Sequence, residues 1–143
     1  MNRHLLAPLV LAASLTTAQA QTPTQSYPLT ISPLEAAKLL SEKKATLIDI
    51  RRPDEWKQTG VAENAELADM SDPLFEAKLS KITSGDRTKP IMLICRTATR
   101  TRTLQQALLQ QGYTAVINVE GGMIGNAADK GWIARDLPVK AFE

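Results

Sequence analysis

The chain holds one cysteine and one histidine in 143 residues. With Cys95 alone, no intramolecular disulfide can form, and a Cys-cluster zinc site is equally excluded. The histidine is His4, inside an N-terminal stretch with the character of a targeting segment. If that stretch is removed, Ser-His-Asp and Cys-His catalysis and histidine metal sites are lost with it. Aromatic residues make up 4% of the chain, which leaves little for base stacking. A formal net charge of +2 gives no broad basic footprint, so no nucleic-acid partner is expected. Arg96, Arg100 and Arg102 form a local cluster better matched to a small anion. The content of 43% hydrophobic and 22% charged residues is that of an ordinary soluble globular protein, and the length fits one domain.

Residues 1–20 divide as a secretory signal does. Arg3 and His4 supply a positive start, Leu5 to Leu15 an apolar core, and Ala18-Gln19-Ala20 an A-x-A cleavage site. The apolar core is about half of the ~20 residues that a membrane span needs. The expectation is cleavage before Gln21, export across the inner membrane to the periplasm, and no membrane attachment afterwards. An exported lone thiol is exposed to oxidation. Either Cys95 is buried and inert, or its reactivity is used.

A flexible lead-in is expected at 21–28 and one domain at 29–143. Strand character near Leu29–Ile31 is followed by Ser32-Pro33-Leu34-Glu35, an S-x-x-E capping box with proline in the first helical position. That helix should run to about Glu42. Thr46–Ile50 reads as a strand, and a short helix from Arg52 should stop near Gly60. Asp72-Pro73 opens another helix, with Phe75, Leu79 and Ile82 on one face. Ile91-Met92-Leu93-Ile94 is a continuous apolar run, as suits a strand covered on both faces. A helix carrying Leu104, Ala107 and Leu108 should end at Gly112, before a strand at Ala115–Val119. A last helix is expected over 121–130. Strands alternating with helices define a small α/β domain with a mainly parallel sheet. In such sheets the working residues sit in loops at the carboxyl ends of strands.

Two such loops carry chemistry: 51–55 and 95–101. Cys95 ends an apolar strand, and a helix begins a few residues later. Loop amides and a helix N-terminus favour an anion at that point, and Arg96 and Arg100 add full charges. The thiolate of Cys95 is thereby favoured over its thiol. A nucleophile can be produced this way without a histidine base. The bland alternative is a small buried hydrophobe. Two arginines and three threonines in the next six residues argue against it.

At this point the sequence resembles the rhodanese (thiosulfate sulfurtransferase) domain family in its single-domain, exported form. Cys95-Arg96-Thr97-Ala98-Thr99-Arg100-Thr101 is similar to the family's C-R-[ST]-G-N-R-[ST] loop. Asp49-Ile50-Arg51-Arg52-Pro53-Asp54-Glu55-Trp56 is similar to its D-[VI]-R-x-x-x-E-[YFW] motif. Val119-Glu120-Gly121-Gly122 is similar to L-x-G-G, and Leu137-Pro138-Val139 to L-P-V. The resemblance runs from roughly Leu29 to Val139 and implies a rhodanese-like fold. It implies a persulfide carried on Cys95, filled from a small anionic donor such as thiosulfate and emptied by a thiophile such as cyanide or a thiol. Arg96 to Thr101 would hold donor and persulfide. Asp49, Arg51 and Glu55 would be structural, with Arg51 paired to Glu55 to fix the turn. For Arg52 and Asp54 a solvated charge cluster is an equal reading. No metal or cofactor is expected, and a monomer is the default.

The sequence departs from the family at several points. Ala98 stands where the family has glycine; if the position needs positive φ, alanine costs roughly 1–2 kcal/mol there. Thr99 replaces the usual asparagine. Gly60-Val61-Ala62-Glu63-Asn64-Ala65 keeps the first glycine and last alanine of G-H-I-x-G-A, and the tryptophan usual after G-G is out of register. Two further readings stay open. One is a non-catalytic rhodanese-like binding module. The other is a cysteine-dependent phosphatase or arsenate reductase, which the C-x4-R spacing of Cys95 and Arg100 disfavours, since those enzymes use C-x5-R.

Overall fold

The computed structural model describes residues 27–143. The expected signal at 1–20 and most of the lead-in at 21–28 lie outside the described residues. Five parallel strands form the central sheet: β1 (Thr30–Ile31), β2 (Thr46–Asp49), β4 (Glu66–Leu67), β5 (Ile91–Ile94) and β6 (Val116–Val119). Their order is β1-β6-β5-β2-β4. Four helices flank them: α1 (Pro33–Ser41), α2 (Pro53–Thr59), α3 (Phe75–Thr83) and α4 (Thr99–Gln110). A separate antiparallel ribbon joins β3 (Val61–Ala62) to β7 (Val139–Lys140).

Burial explains why the central strands read as unbroken apolar runs. Leu47, Met92, Ile94, Ile117 and Val119 feed one core cluster. Their alternate neighbours Ile48, Ile91, Leu93 and Val116 feed a second. Successive strand residues point to opposite faces, so two covered faces demand apolar residues at nearly every position. Cys95 continues the alternation and falls in the second cluster.

Local chemistry sets the helix starts. Ser32 and Glu35 close the expected capping box on α1. In α2, Pro53 takes the first helical position, and Glu55 accepts the Arg52 amide at 3.1 Å. Helix α3 begins at Phe75, three residues past the expected opening. There the Asp72 carboxylate accepts the Leu74 amide at 2.8 Å and forms a turn first. Phe75 and Leu79 are buried on its inner face, and Ile82 packs at the margin of the same cluster.

The helix expected over 121–130 is absent, and turns occupy the segment. Gly121, Gly122 and Gly125 have φ of 71°, 57° and 94°, which a right-handed helix cannot contain. Asn126 Oδ1 accepts the amides of Ala128 and Asp129, an Asx turn that competes with helix.

Candidate active site

The site forms at the carboxyl ends of β2 and β5, the position expected for parallel sheets. Cys95 follows β5 directly, and α4 starts at Thr99. The connection is tied down through its carbonyls. Met123 N donates to Cys95 O at 2.9 Å and Ile124 N to Arg96 O at 3.1 Å. Asn126 Nδ2 donates to Thr97 O at 3.0 Å. The same Nδ2 reaches Glu120, which also pairs with Arg102. Among the described residues, the amides of Arg96, Thr97 and Ala98 donate to no backbone carbonyl. Carbonyls engaged on one side and amides left available on the other make an anion cradle.

Gly122 sets how closely the 121–126 turn approaches this loop. A Cβ there would lie 2.5 Å from Cys95 O and 2.7 Å from Arg96 O, on backbone at positive φ. Only glycine meets both demands. Ala98 occupies the cap position before α4 with φ 72° and ψ 1°, so the family's glycine position is held in left-handed conformation by alanine. Its methyl group is fully buried.

The cysteine is 1% exposed. On its inner side it packs with the apolar cluster of Ile48, Ile50 and Leu93. On its loop side Sγ lies 3.6 Å from Thr101 Oγ1. The Arg100 guanidinium is near enough that a Cys95 anion would raise its pKa, beyond the larger effect of its main partner, Glu55. The burial expected of an inert cysteine is thus present, but the polar neighbours are not those of a core position.

The expected pairing of Arg51 with the Glu55 carboxylate does not form; Arg51 reaches the Glu55 carbonyl instead, at 3.4 Å. Arg51 folds back onto Asp49, donating from Nε at 3.0 Å and from Nη2 at 2.7 Å. Residues two apart on extended backbone share a face, and that brings the two together. Arg51 also reaches Thr59 Oγ1 at 2.7 Å and Gly60 O at 2.9 Å, locking the far end of α2 to β2. Both side chains of the pair are buried. Glu55 turns the other way and takes Arg100 in a two-pronged pair at 2.6 and 2.8 Å. Arg52 and Asp54 form an exposed pair at 3.0 Å, matching the solvated reading.

Arg96 is exposed, and among the described residues its guanidinium has no hydrogen-bond or ion-pair partner. With Arg51, Glu55, Gln58, Thr59 and Ile124 it lines a cleft of about 30 Å³. Thr97 and Thr99 line a different cleft, of about 270 Å³, with Arg102 and Asn126. Of the three threonines, Thr101 is therefore the one at the sulfur. Asn126 and Asn118 were not among the expected site residues. Asn118 had a signal in the sequence: it is the polar residue in the otherwise apolar run Val116–Val119.

The Arg100 hydrogen bonds hold the Glu55 carboxyl below its ordinary value of 4.5. A depressed folded value stabilises the fold above the ordinary value and is lost as pH falls through the depressed one. Glu55→Gln should therefore lower Tm at neutral pH. The difference from wild type should shrink as pH drops below 4.5. Thermal melts of both proteins across acid pH check this; a difference independent of pH would contradict it.

The cysteine loop thus lies between a parallel strand and a helix, braced by a glycine turn and a Glu–Arg pair. The chain belongs to the rhodanese-like domain family, which matches residues 32–128. It is 34% identical over 98 residues to a tRNA uridine(34) hydroxylase of Chlamydia felis, covering 66% of this chain and 30% of that protein. The chain thus spans under a third of that relative. The polysulfide-sulfur transferase homodimer of Wolinella succinogenes superposes with a TM-score of 0.61 at 34% identity, covering 80% of this chain and 79% of that one. Rv0390 of M. tuberculosis superposes with a TM-score of 0.65 at 26% identity, covering 80% and 98%.

Proposed function

We propose that the protein is a sulfurtransferase that carries sulfane sulfur as a persulfide on Cys95. The observation that carries this is the setting of the sulfur: at a strand end, beside the Thr101 hydroxyl and Arg100, under a loop whose carbonyls are held away. The Cys95 thiolate attacks the outer sulfur of the donor. A new S–S bond forms, the donor's S–S bond breaks, and sulfite leaves with the electron pair. A thiophile then takes the outer sulfur and returns Cys95 as thiolate, in two covalent half-reactions. Thiosulfate serves as the donor for assay. Polysulfide is a second donor of the same chemistry, suggested by the name of the Wolinella relative.

The free Arg96 guanidinium would attract the anion, and the loop amides would hold the persulfide. The donor would compete with Glu55 for Arg100, because that ion pair lies beside the sulfur. Export to the periplasm and action as a monomer without cofactor belong to the same proposal. The test is mass spectrometry of reduced, folded protein after thiosulfate treatment. One added sulfur on Cys95 is expected, and its absence overturns the reading. The burial of Cys95 favours a second reading, a non-catalytic binding module, and that module would give no adduct.

Ala98 bears on turnover. Ala98→Gly relieves left-handed strain of roughly 1–2 kcal/mol. It also loses a buried methyl, worth about 0.8 kcal/mol, and gains unfolded-state entropy worth about 0.4–1 kcal/mol. These terms nearly cancel, so Tm should change little. Thiocyanate formation should be equal or faster, because the loop can relax around the persulfide. A clear loss of rate would contradict the strain argument.

A further inference from the structure

Thr101 has one hydroxyl proton and three acceptors around it. Asn118 Oδ1 lies at 2.6 Å, Ala98 O at 3.0 Å and Cys95 Sγ at 3.6 Å. The proton can serve one of them at a time. Asn118 is wholly buried on β6, and among the described residues its Nδ2 has no hydrogen-bond partner. The sheet register sets Asn118 opposite Leu93, on the strand that Cys95 directly follows. Residue alternation along β5 and β6 puts Asn118 on the same face as the cysteine.

We propose that Asn118 is a positioning residue for the Cys95 sulfur, acting through Thr101: its buried amide decides whether the hydroxyl proton points away from the sulfur or at it. The proposal rests on the sulfurtransferase reading of Cys95. With Oδ1 toward Thr101, Asn118 takes the proton, and Thr101 Oγ1 turns a lone pair to the thiol hydrogen. A half turn of the amide exchanges its two ends. Nδ2 then donates to Thr101 Oγ1, and the Thr101 proton is free for an anionic sulfur. The half turn gives the orphaned Nδ2 a partner. It leaves a carbonyl oxygen unpaired instead, and that is the commoner deficit in buried sites. An amide donating to a hydroxyl that donates to sulfur also polarises that hydroxyl, which strengthens the second bond. Both the thiolate and the persulfide anion need such a donor, because burial denies them water. The charged group near the sulfur is Arg100, held by Glu55, and neither is altered in the test.

The test follows the ultraviolet band of the thiolate against pH. The sequence has one cysteine, so subtracting a Cys95→Ser blank isolates a single group. Thr101→Val should move the titration up by about one pH unit, the scale of a lost hydrogen bond to the charged form. Asn118→Leu should move it up by about half a unit, because Thr101 then turns to Ala98 O. In the Thr101→Val background, Asn118→Leu should add nothing, the signature of two residues acting as one unit. Thr101→Ser keeps the hydroxyl and should titrate like wild type. Asn118→Ala replaces Asn118→Leu if the larger side chain prevents folding. Melting is followed in parallel. A variant at Asn118 that loses Tm but titrates like wild type overturns the proposal, as does an equal shift with and without the Thr101 hydroxyl. Thiol titration does not depend on sulfur transfer. If it moves as expected while no persulfide forms, the positioning role stands and the sulfurtransferase reading fails.

Discussion

Cys95→Ser should abolish thiocyanate formation from thiosulfate and cyanide, by at least about a thousandfold, with Tm close to wild type. Serine differs by one atom, so the packing against Ile48, Ile50 and Leu93 survives nearly unchanged. Its hydroxyl can still meet Thr101 Oγ1, and the loop keeps the carbonyl contacts to Met123 and Ile124. The chemistry does not survive. A serine hydroxyl is a far weaker nucleophile than a thiolate, and oxygen does not hold sulfane sulfur as a stable carrier. Among the described residues no second cysteine exists to take over, so no bypass is available. A binding module would show no transfer in wild type either. The comparison is therefore read on wild type first and on the variant second. Residual transfer within about tenfold of wild type would mean that Cys95 is not the carrier.

The sheet was legible because its strands carry a physical signature. Two covered faces require apolar residues at nearly every position, and Ile91–Ile94 and, apart from Asn118, Val116–Val119 supply them. The two-residue strands β3, β4 and β7 were not legible. They are too short for any period, and partners distant in sequence hold them, as when Ala62 meets Val139. The false helix at 121–130 had the reverse cause. Its composition permits a helix, but three glycines at positive φ break it: Gly122 lets the chain approach the cysteine loop, and Gly121 and Gly125 let it close on residues 129–131, contacts that local pattern does not encode. Cys95, Arg96 to Thr101, Asp49, Arg51 and Glu55 do gather at one end of the sheet. Who pairs with whom was not legible. Arg51 had three acidic candidates at short range, Asp49, Asp54 and Glu55, and the choice fell to backbone geometry. Glu55 found its partner 45 residues away. Asn118 stood out as polar in an apolar run, yet its meaning depends on which neighbour the parallel register sets beside it.

Asp49→Ala should be the most destabilising of the substitutions considered, by about 3–5 kcal/mol, because it strands a buried cation. The Asp49 and Arg51 side chains are 0% and 1% exposed. The carboxylate accepts the Arg51 amide at 3.1 Å as well as two guanidinium nitrogens. Among the described residues, its removal leaves the guanidinium with only the neutral acceptors Thr59 Oγ1, Gly60 O and Glu55 O. Against a typical total of about 5–15 kcal/mol, that loss takes a large part of the stability of a domain this size. A fall in Tm of more than about 10 °C is expected. Glu55→Gln should cost less, because Arg100 is partly exposed and water can replace the carboxylate. Removing both members of the buried pair should cost less than removing Asp49 alone. Asp49→Leu with Arg51→Met keeps volume and leaves no unpaired charge, so much of the stability should return. Urea denaturation of the three variants measures the order. If the double variant is as unstable as Asp49→Ala, the Arg51 links to Thr59 and Gly60, lost in the double variant alone, are worth as much as the stranded charge costs.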